Sequence, residues 1–289
     1  KNIETIMPGF THLKNAQPIS FSHYLLAYVE MFKRDKNRFK NNIENLLENP
    51  LGSAALSGTS FNIDRNYTTK KLKFKQPTNN SIDTVSDRDF VVDFLYTISV
   101  CSIHISRLAE EFIIWNSDAF GLIKLNDKIV TGSSIMPQKR NPDAAELIRG
   151  KTGRIYGSLI SLLTLTKGLP MAYNRDLQED RYALFDALQT SIACVRVMKG
   201  CMGSMEILSG PDLEGDPLLA TELADYLASK GMAFREAHHV VGRIVRHCEQ
   251  QKINLLQLGI QGLKTFDVSF AEDVLEWLDP CAAAERRTS

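Results

Sequence analysis

The chain has 289 residues, enough for one large domain or two modest ones around a substantial apolar core. Its 34 Lys and Arg balance 34 Asp and Glu, which leaves no field to hold a nucleic-acid backbone or an anionic membrane surface and fits a small ligand of mixed charge. The cysteines, Cys101, Cys194, Cys201, Cys248 and Cys281, are odd in number, lack CxxC spacing and lie mostly in apolar helical stretches, so they read as reduced core residues of a cytoplasmic protein. No apolar run approaches bilayer-spanning length and Lys1 to Met7 carry no signal-peptide core, so the protein is expected to be soluble and not exported.

In chain order, Phe21, Tyr24, Leu25, Tyr28, Phe32, Phe39, Ile43 and Leu47 recur every three or four positions, predicting a helix from Phe21 to Leu47 that Asn49-Pro50 stops. A second helix is predicted from Ser86 to Asn116, on Phe90, Phe94, Leu95, Ile98, Ile105, Leu108 and Phe112. A third starts at Asn141-Pro142, with Asn141 as its cap, and ends near Lys167, where Gly168-Leu169-Pro170 breaks it. A fourth runs from about Leu177 to Leu208, and shorter ones occupy Pro217–Lys230, Phe234–Gln251 and Phe270–Leu278. Convincing alternating strands are missing. The expected fold is all-α: a bundle of long helices forming a shared oligomeric core over residues 1–209, with a smaller helical C-terminal domain over 210–289. Rods this long cannot hide their apolar stripes in so short a chain without packing side by side, so Tyr28, Phe32, Ile105 and Leu108 are read as core or interface.

Between the second and third helices lies Thr131-Gly132-Ser133-Ser134-Ile135-Met136-Pro137-Gln138-Lys139-Arg140-Asn141-Pro142. A polar connection with a good cap is the ordinary reading of such a stretch. Yet two hydroxyls followed by two cations, leading into a helix N-terminus that favours negative charge, can surround a carboxylate and set an oxygen base beside it.

The run resembles the signature of the fumarase, aspartase, adenylosuccinate lyase and argininosuccinate lyase superfamily, Gly-Ser-Ser-x-Met-Pro-x-Lys-x-Asn-Pro, at every fixed position. Two more segments resemble the argininosuccinate lyase branch: Met7-Pro8-Gly9-Phe10-Thr11-His12-Leu13 with Ala16-Gln17-Pro18, and Gly168-Leu169-Pro170 with Tyr173-Asn174-Arg175-Asp176-Leu177-Gln178-Glu179-Asp180. The resemblance covers essentially the whole chain and implies cleavage of argininosuccinate to arginine and fumarate without cofactor or metal. It implies Ser133 as the base, Lys139 and Asn141 as donors to the aci-carboxylate that forms, and His12 near the leaving group with Glu146 as its partner. Thr11, Tyr173, Gln178 and Arg181 match substrate-binding positions, Arg181 standing where many relatives carry lysine. It implies further a homotetramer whose sites draw on three subunits: the segments at His12, at Ser133, and near Ser86 to Asn116.

Relatives of this type place an N-terminal domain before the Met7 segment and continue past Ser289, so the chain is expected to be a fragment that assembles without catalysing alone. Other readings are weaker. Gly150-Lys151-Thr152 resembles the end of a P-loop, but Ala145 replaces the required glycine and the segment is helical. His238, His239, His247 and Cys248 match no standard zinc spacing. Within the superfamily the alternatives are adenylosuccinate lyase and an inactive structural homologue of delta-crystallin type.

Overall fold

The computed structural model describes residues 4–208 and 212–287. Contacts divide the chain into Tyr28–Glu206 and a second unit of Lys1–Ala27 with Ile207–Ser289. The boundary expected at residues 209 and 210 lies outside the described residues. Against the expected division into 1–209 and 210–289, residues 1–27 group with the C-terminal part rather than with the long helices.

The unit Tyr28–Glu206 holds most of α1 (Phe21–Asn45), then α2 (Arg65–Leu72), α3 (Ser81–Ser86), α4 (Asp89–Trp115), α5 (Asp143–Thr166) and α6 (Asp180–Ser204). At 1.5 Å per residue, the 27 residues of α4 make a rod about 40 Å long. α4, α5 and α6 pack against one another. Their shared core is Val91, Leu95 and Ile98 of α4, Ile155 and Leu162 of α5 and Ala187 of α6, with Phe39 of α1 edge-on to Phe94 at 6.0 Å. These helices follow the predicted ones except at their ends. The third begins at Asp143, and Asn141 lies in a strand ladder instead of capping it; the cap position is Pro142, which offers no side-chain acceptor.

One expectation about membranes is corrected. By length and composition α4 is apolar enough to cross a bilayer. A core helix passes the same test, and the stripe of Leu95, Ile98, Ile105, Leu108 and Phe112 is buried inside the protein together with polar Thr97, Ser99 and Ser102.

α1 and α4 are also joined by polar rungs. Tyr28 donates to Glu111 at 3.4 Å, Asp35 meets His104 Nδ1 at 2.7 Å, and Asn45 donates to Asp93 at 3.0 Å. Asp35, only 2 % exposed, also accepts from Arg38 at 3.1 Å, so its buried charge is compensated. Burial beside Asp35 pushes the Cys101 thiol up to about 12, in keeping with an inert core cysteine. Asn42 has a buried side-chain oxygen with no hydrogen-bond partner among the described residues.

The other unit departs from the all-helical expectation at its start. Strands β1 (Ile6–Thr11) and β2 (Lys14–Ser20) form an antiparallel hairpin. Its sequence hides it, because Pro8 and Pro18 sit opposite each other and neither can donate to the ladder. The rest is helical: α7 (Ala220–Ser229), α8 (Phe234–Gln251), α9 (Leu255–Lys264), α10 (Val274–Trp277) and α11 (Pro280–Glu285). Leu219, Leu223, Tyr226, Leu227, Ile244, Leu263 and Phe270 form its core, with Tyr226 stacked on Phe270 at 5.9 Å. Both α11 and the short turn Pro217–Leu219 pack against β2.

Candidate active site

The loop after α4 is closed at its base by a two-residue antiparallel ladder, Thr131 opposite Asn141 and Gly132 opposite Arg140. The Thr131 hydroxyl donates to the Asp143 carboxylate in the first turn of α5, and Arg140 Nε donates to Asp127 at 3.2 Å. This neck fastens residues 133–139 to the start of α5 while they project outward. Glu146 lies on the exposed side of the same first turn, where a carboxylate is favoured by the helix N-terminus.

Inside the loop the Ser133 hydroxyl oxygen accepts from the amides of Ile135 at 3.3 Å and Met136 at 3.2 Å. Two N–H dipoles aimed at one oxygen stabilise negative charge on it, so the arrangement lowers the cost of forming an alkoxide. The Lys139 amide donates to the Met136 carbonyl at 3.1 Å, and Arg140 Nη1 donates to the carbonyls of Pro137 at 2.9 Å and Lys139 at 3.2 Å. The Lys139 side chain stands exposed on this folded backbone, and Ile135 is 86 % exposed at the tip. An isoleucine held so far into water gains by being covered. Amides of Ile135 to Arg140 are accordingly expected to exchange hydrogen more slowly when a ligand fills the site, and equal exchange with and without ligand would contradict closure.

A second polar group lies between α5 and α6. Gln178 Nε2 donates to the Tyr173 hydroxyl at 2.9 Å, and Leu177, buried between its polar neighbours, anchors the 3-10 turn Arg175–Glu179 that carries Gln178. Arg181 is exposed in the first turn of α6, next to Asp180, whose carboxylate pairs with Arg88.

Thr11 and His12 belong to the other unit and stand at the tip of the hairpin. Thr11 is the last residue of β1, and His12 and Leu13 form a two-residue turn with φ of 56° and 57°. Such turns are ordinarily built from Asn and Gly, because left-handed backbone at other residues costs on the order of 1–3 kcal/mol each. Strain of this kind persists where the surroundings fix it, and it projects the exposed imidazole off the end of the ladder.

Residues 1–157 match the family model described as Lyase, and residues 217–285 match the model of the argininosuccinate lyase C-terminal region. The chain belongs to the lyase family. It is 58 % identical over 282 residues to an argininosuccinate lyase of Pelagibacter ubique, covering 96 % of this chain and 61 % of that one. It is 51 % identical to an argininosuccinate lyase of Bacillus cytotoxicus, covering all of this chain and 63 % of that one. Among solved structures it superposes on an EDDS lyase in complex with formate with a TM-score of 0.88 at 28 % identity, covering 99 % of this chain and 59 % of that one. The chain therefore spans about three fifths of the length of the lyases it matches.

Family membership gives the geometry its context. The structure gathers Ser133, Lys139, Asn141 and Glu146 on one loop-and-helix segment and joins Tyr173 to Gln178; Thr11 and His12 share the hairpin tip. The assignment of the loop amides serving Ser133 to Ile135 and Met136, the Thr131–Asp143 bond and the left-handed turn were not read from the sequence. Of these, Asp143 was the most accessible, as an acidic residue in the first turn of a predicted helix.

Proposed function

We propose that this chain carries the catalytic machinery of an argininosuccinate lyase, which eliminates arginine from argininosuccinate and leaves fumarate. The observation that carries the reading is the Ser133 oxygen facing two backbone amides within the matched signature loop. Whole-chain similarity to argininosuccinate lyases from several organisms supports the choice of substrate.

The bond to be broken joins a guanidinium nitrogen to a succinate carbon, and the proton to be removed lies on the neighbouring carbon, beside a carboxylate. Ser133 as alkoxide takes that proton, with the Ile135 and Met136 amides holding its charge beforehand. The electron pair moves into the carboxylate as an aci-carboxylate, which Lys139 and Asn141 stabilise as donors. Collapse of that dianion forms the carbon–carbon double bond and expels the nitrogen. The nitrogen gains a proton from His12 directly or through a water that His12 orients, with Glu146 read as its partner by the family resemblance. Thr11, Tyr173, Gln178 and Arg181 bind substrate, Arg181 offering a forked contact where lysine would give a point charge.

The same reading makes the protein soluble and cytoplasmic, part of arginine biosynthesis, and a homotetramer with sites shared between subunits. Exposed apolar residues on the long helices support the assembly: Leu147 and Ile160 on α5 and Phe185 and Val195 on α6 are 62, 60, 54 and 49 % exposed. The test is a substrate panel on the complete protein, followed by the ultraviolet absorbance of fumarate. Release from argininosuccinate and not from adenylosuccinate is expected. Release from adenylosuccinate alone would replace the reading with its nearest rival, and release from neither would leave a structural protein of delta-crystallin type.

A further inference from the structure

The hairpin that presents His12 contains an irregularity with its own anchor. From Ile6 opposite Ser20 to Gly9 opposite Gln17 the ladder is regular; Phe10 then faces Asn15, and Ala16 is left as an extra residue on β2. Beyond the bulge Thr11 faces Lys14, which leaves His12 and Leu13 as a two-residue turn. Were the extra residue taken back into the ladder, Thr11 would face Asn15, His12 would face Lys14, and the tip side chains would be re-aimed. Gly9 lets the strands approach here, since a Cβ on it would lie 2.9 Å from the Gln17 carbonyl oxygen.

Gln17, at the base of the bulge, is held from outside the hairpin. With its amide oxygen turned toward Arg287, that oxygen accepts from Nη1 at 3.2 Å and Nη2 at 3.3 Å. Arg287 is itself held by the carboxylate of Glu222 on α7, which is 2 % exposed and also accepts from Arg286 at 3.1 Å. A carboxylate so deeply buried needs its cations, so Glu222 fixes the guanidinium, and the guanidinium fixes Gln17.

We propose that Gln17, clamped by Arg287 on Glu222, is a positioning residue that pins the bulge at Ala16 and thereby aims the His12 turn. The proposal rests on the reading of His12 as the group beside the leaving nitrogen. It explains how a turn built from His and Leu keeps left-handed backbone: the charge network that ends on α7 holds the bulge, and with it the register that makes His12 and Leu13 the turn. A misaimed imidazole harms proton transfer more than ground-state binding.

The test uses Gln17→Leu, which fills similar space and cannot accept a hydrogen bond, in the complete protein. Expected are a fall in kcat of roughly ten- to a hundredfold with KM changed less than about twofold, and faster hydrogen exchange confined to the amides from Phe10 to Asn15. Gln17→Glu, whose carboxylate accepts from the same guanidinium, recovers most of the loss. Unchanged kcat in an active enzyme, or kcat and KM moving together, overturns the proposal. So does unchanged exchange at the hairpin tip, which is read without any turnover. Absence of fumarate release from the unsubstituted protein would instead overturn the lyase reading and leave the exchange measurement to decide this one. If Gln17→Leu does not fold, Gln17→Met, which keeps the unbranched stem and removes the amide acceptor while leaving Arg287 on Glu222, is held to the same two readouts.

Discussion

In the complete protein, replacing Ser133 by alanine is expected to lower turnover roughly a thousandfold or more, within the range general-base catalysis contributes, while the proposed substrate argininosuccinate still binds. The hydroxyl oxygen is placed to act on a proton: its neighbours are two amides that stabilise charge on it, and the side chain is too short to contribute much to affinity for a substrate that carries several charged groups of both signs. Removing it leaves the loop backbone able to close, because the Thr131–Gly132 and Arg140–Asn141 ladder and the bond from Arg140 to the Pro137 carbonyl do not involve that oxygen. The measurement is a pair: steady-state fumarate release, and binding by calorimetry with the variant. Undiminished turnover removes Ser133 as the base, and lost binding recasts it as a substrate contact.

Lys139→Met is expected to cost roughly a hundredfold or more in kcat, the order seen when one donor to a developing anion is lost. Lys139 stands exposed, and among the described residues its ammonium has no ion-pair partner to strand when the charge is deleted. Methionine keeps the length and apolar stem of the side chain. The discriminating reading is which kinetic constant moves. A fall in kcat and in kcat/KM together marks a contact made only as charge develops on the carboxylate; a rise in KM alone marks uniform binding of substrate and transition state.

How much of this was legible in the sequence depended on whether one periodicity dominated. The helix from Phe234 to Gln251 was placed to the residue, because its buried set, Ala237, Val240, Val241, Ile244 and Cys248, repeats at three and four. α2 was not seen: Arg65–Leu72 buries only Thr69, and its signal lies in Asp64 accepting from the amides of Asn66 and Tyr67. α9 escaped because Gly259, at φ 63°, breaks the pattern inside it. The hairpin was invisible for the opposite reason, since Pro8, Gly9 and Pro18 read as punctuation and His12-Leu13 carries none of the usual turn chemistry. The loop at Ser133 was legible as a string because its chemistry is contiguous. The anchor at Gln17 was not, because Glu222 and Arg287 come from distant stretches and meet it only in three dimensions.

The polar rungs between α1 and α4 bear on how this chain can tolerate change. Tyr28 and Asp35 are seven residues apart, as are their partners Glu111 and His104, so both rungs obey one heptad register. The next position along that register on α1 is Asn42, whose buried oxygen lacks a partner among the described residues. Loss of Asp35 alone takes the partner from both Arg38 and His104, and loss of His104 alone leaves the buried carboxylate with Arg38 as its remaining side-chain partner, so neither is a neutral step. Substitutions in this chain should therefore act on such positions as couples, milder when both change together than when one changes alone. Asn42, whose oxygen binds no mate among the described residues, is a place in the seam where one codon can change without leaving such a mate behind.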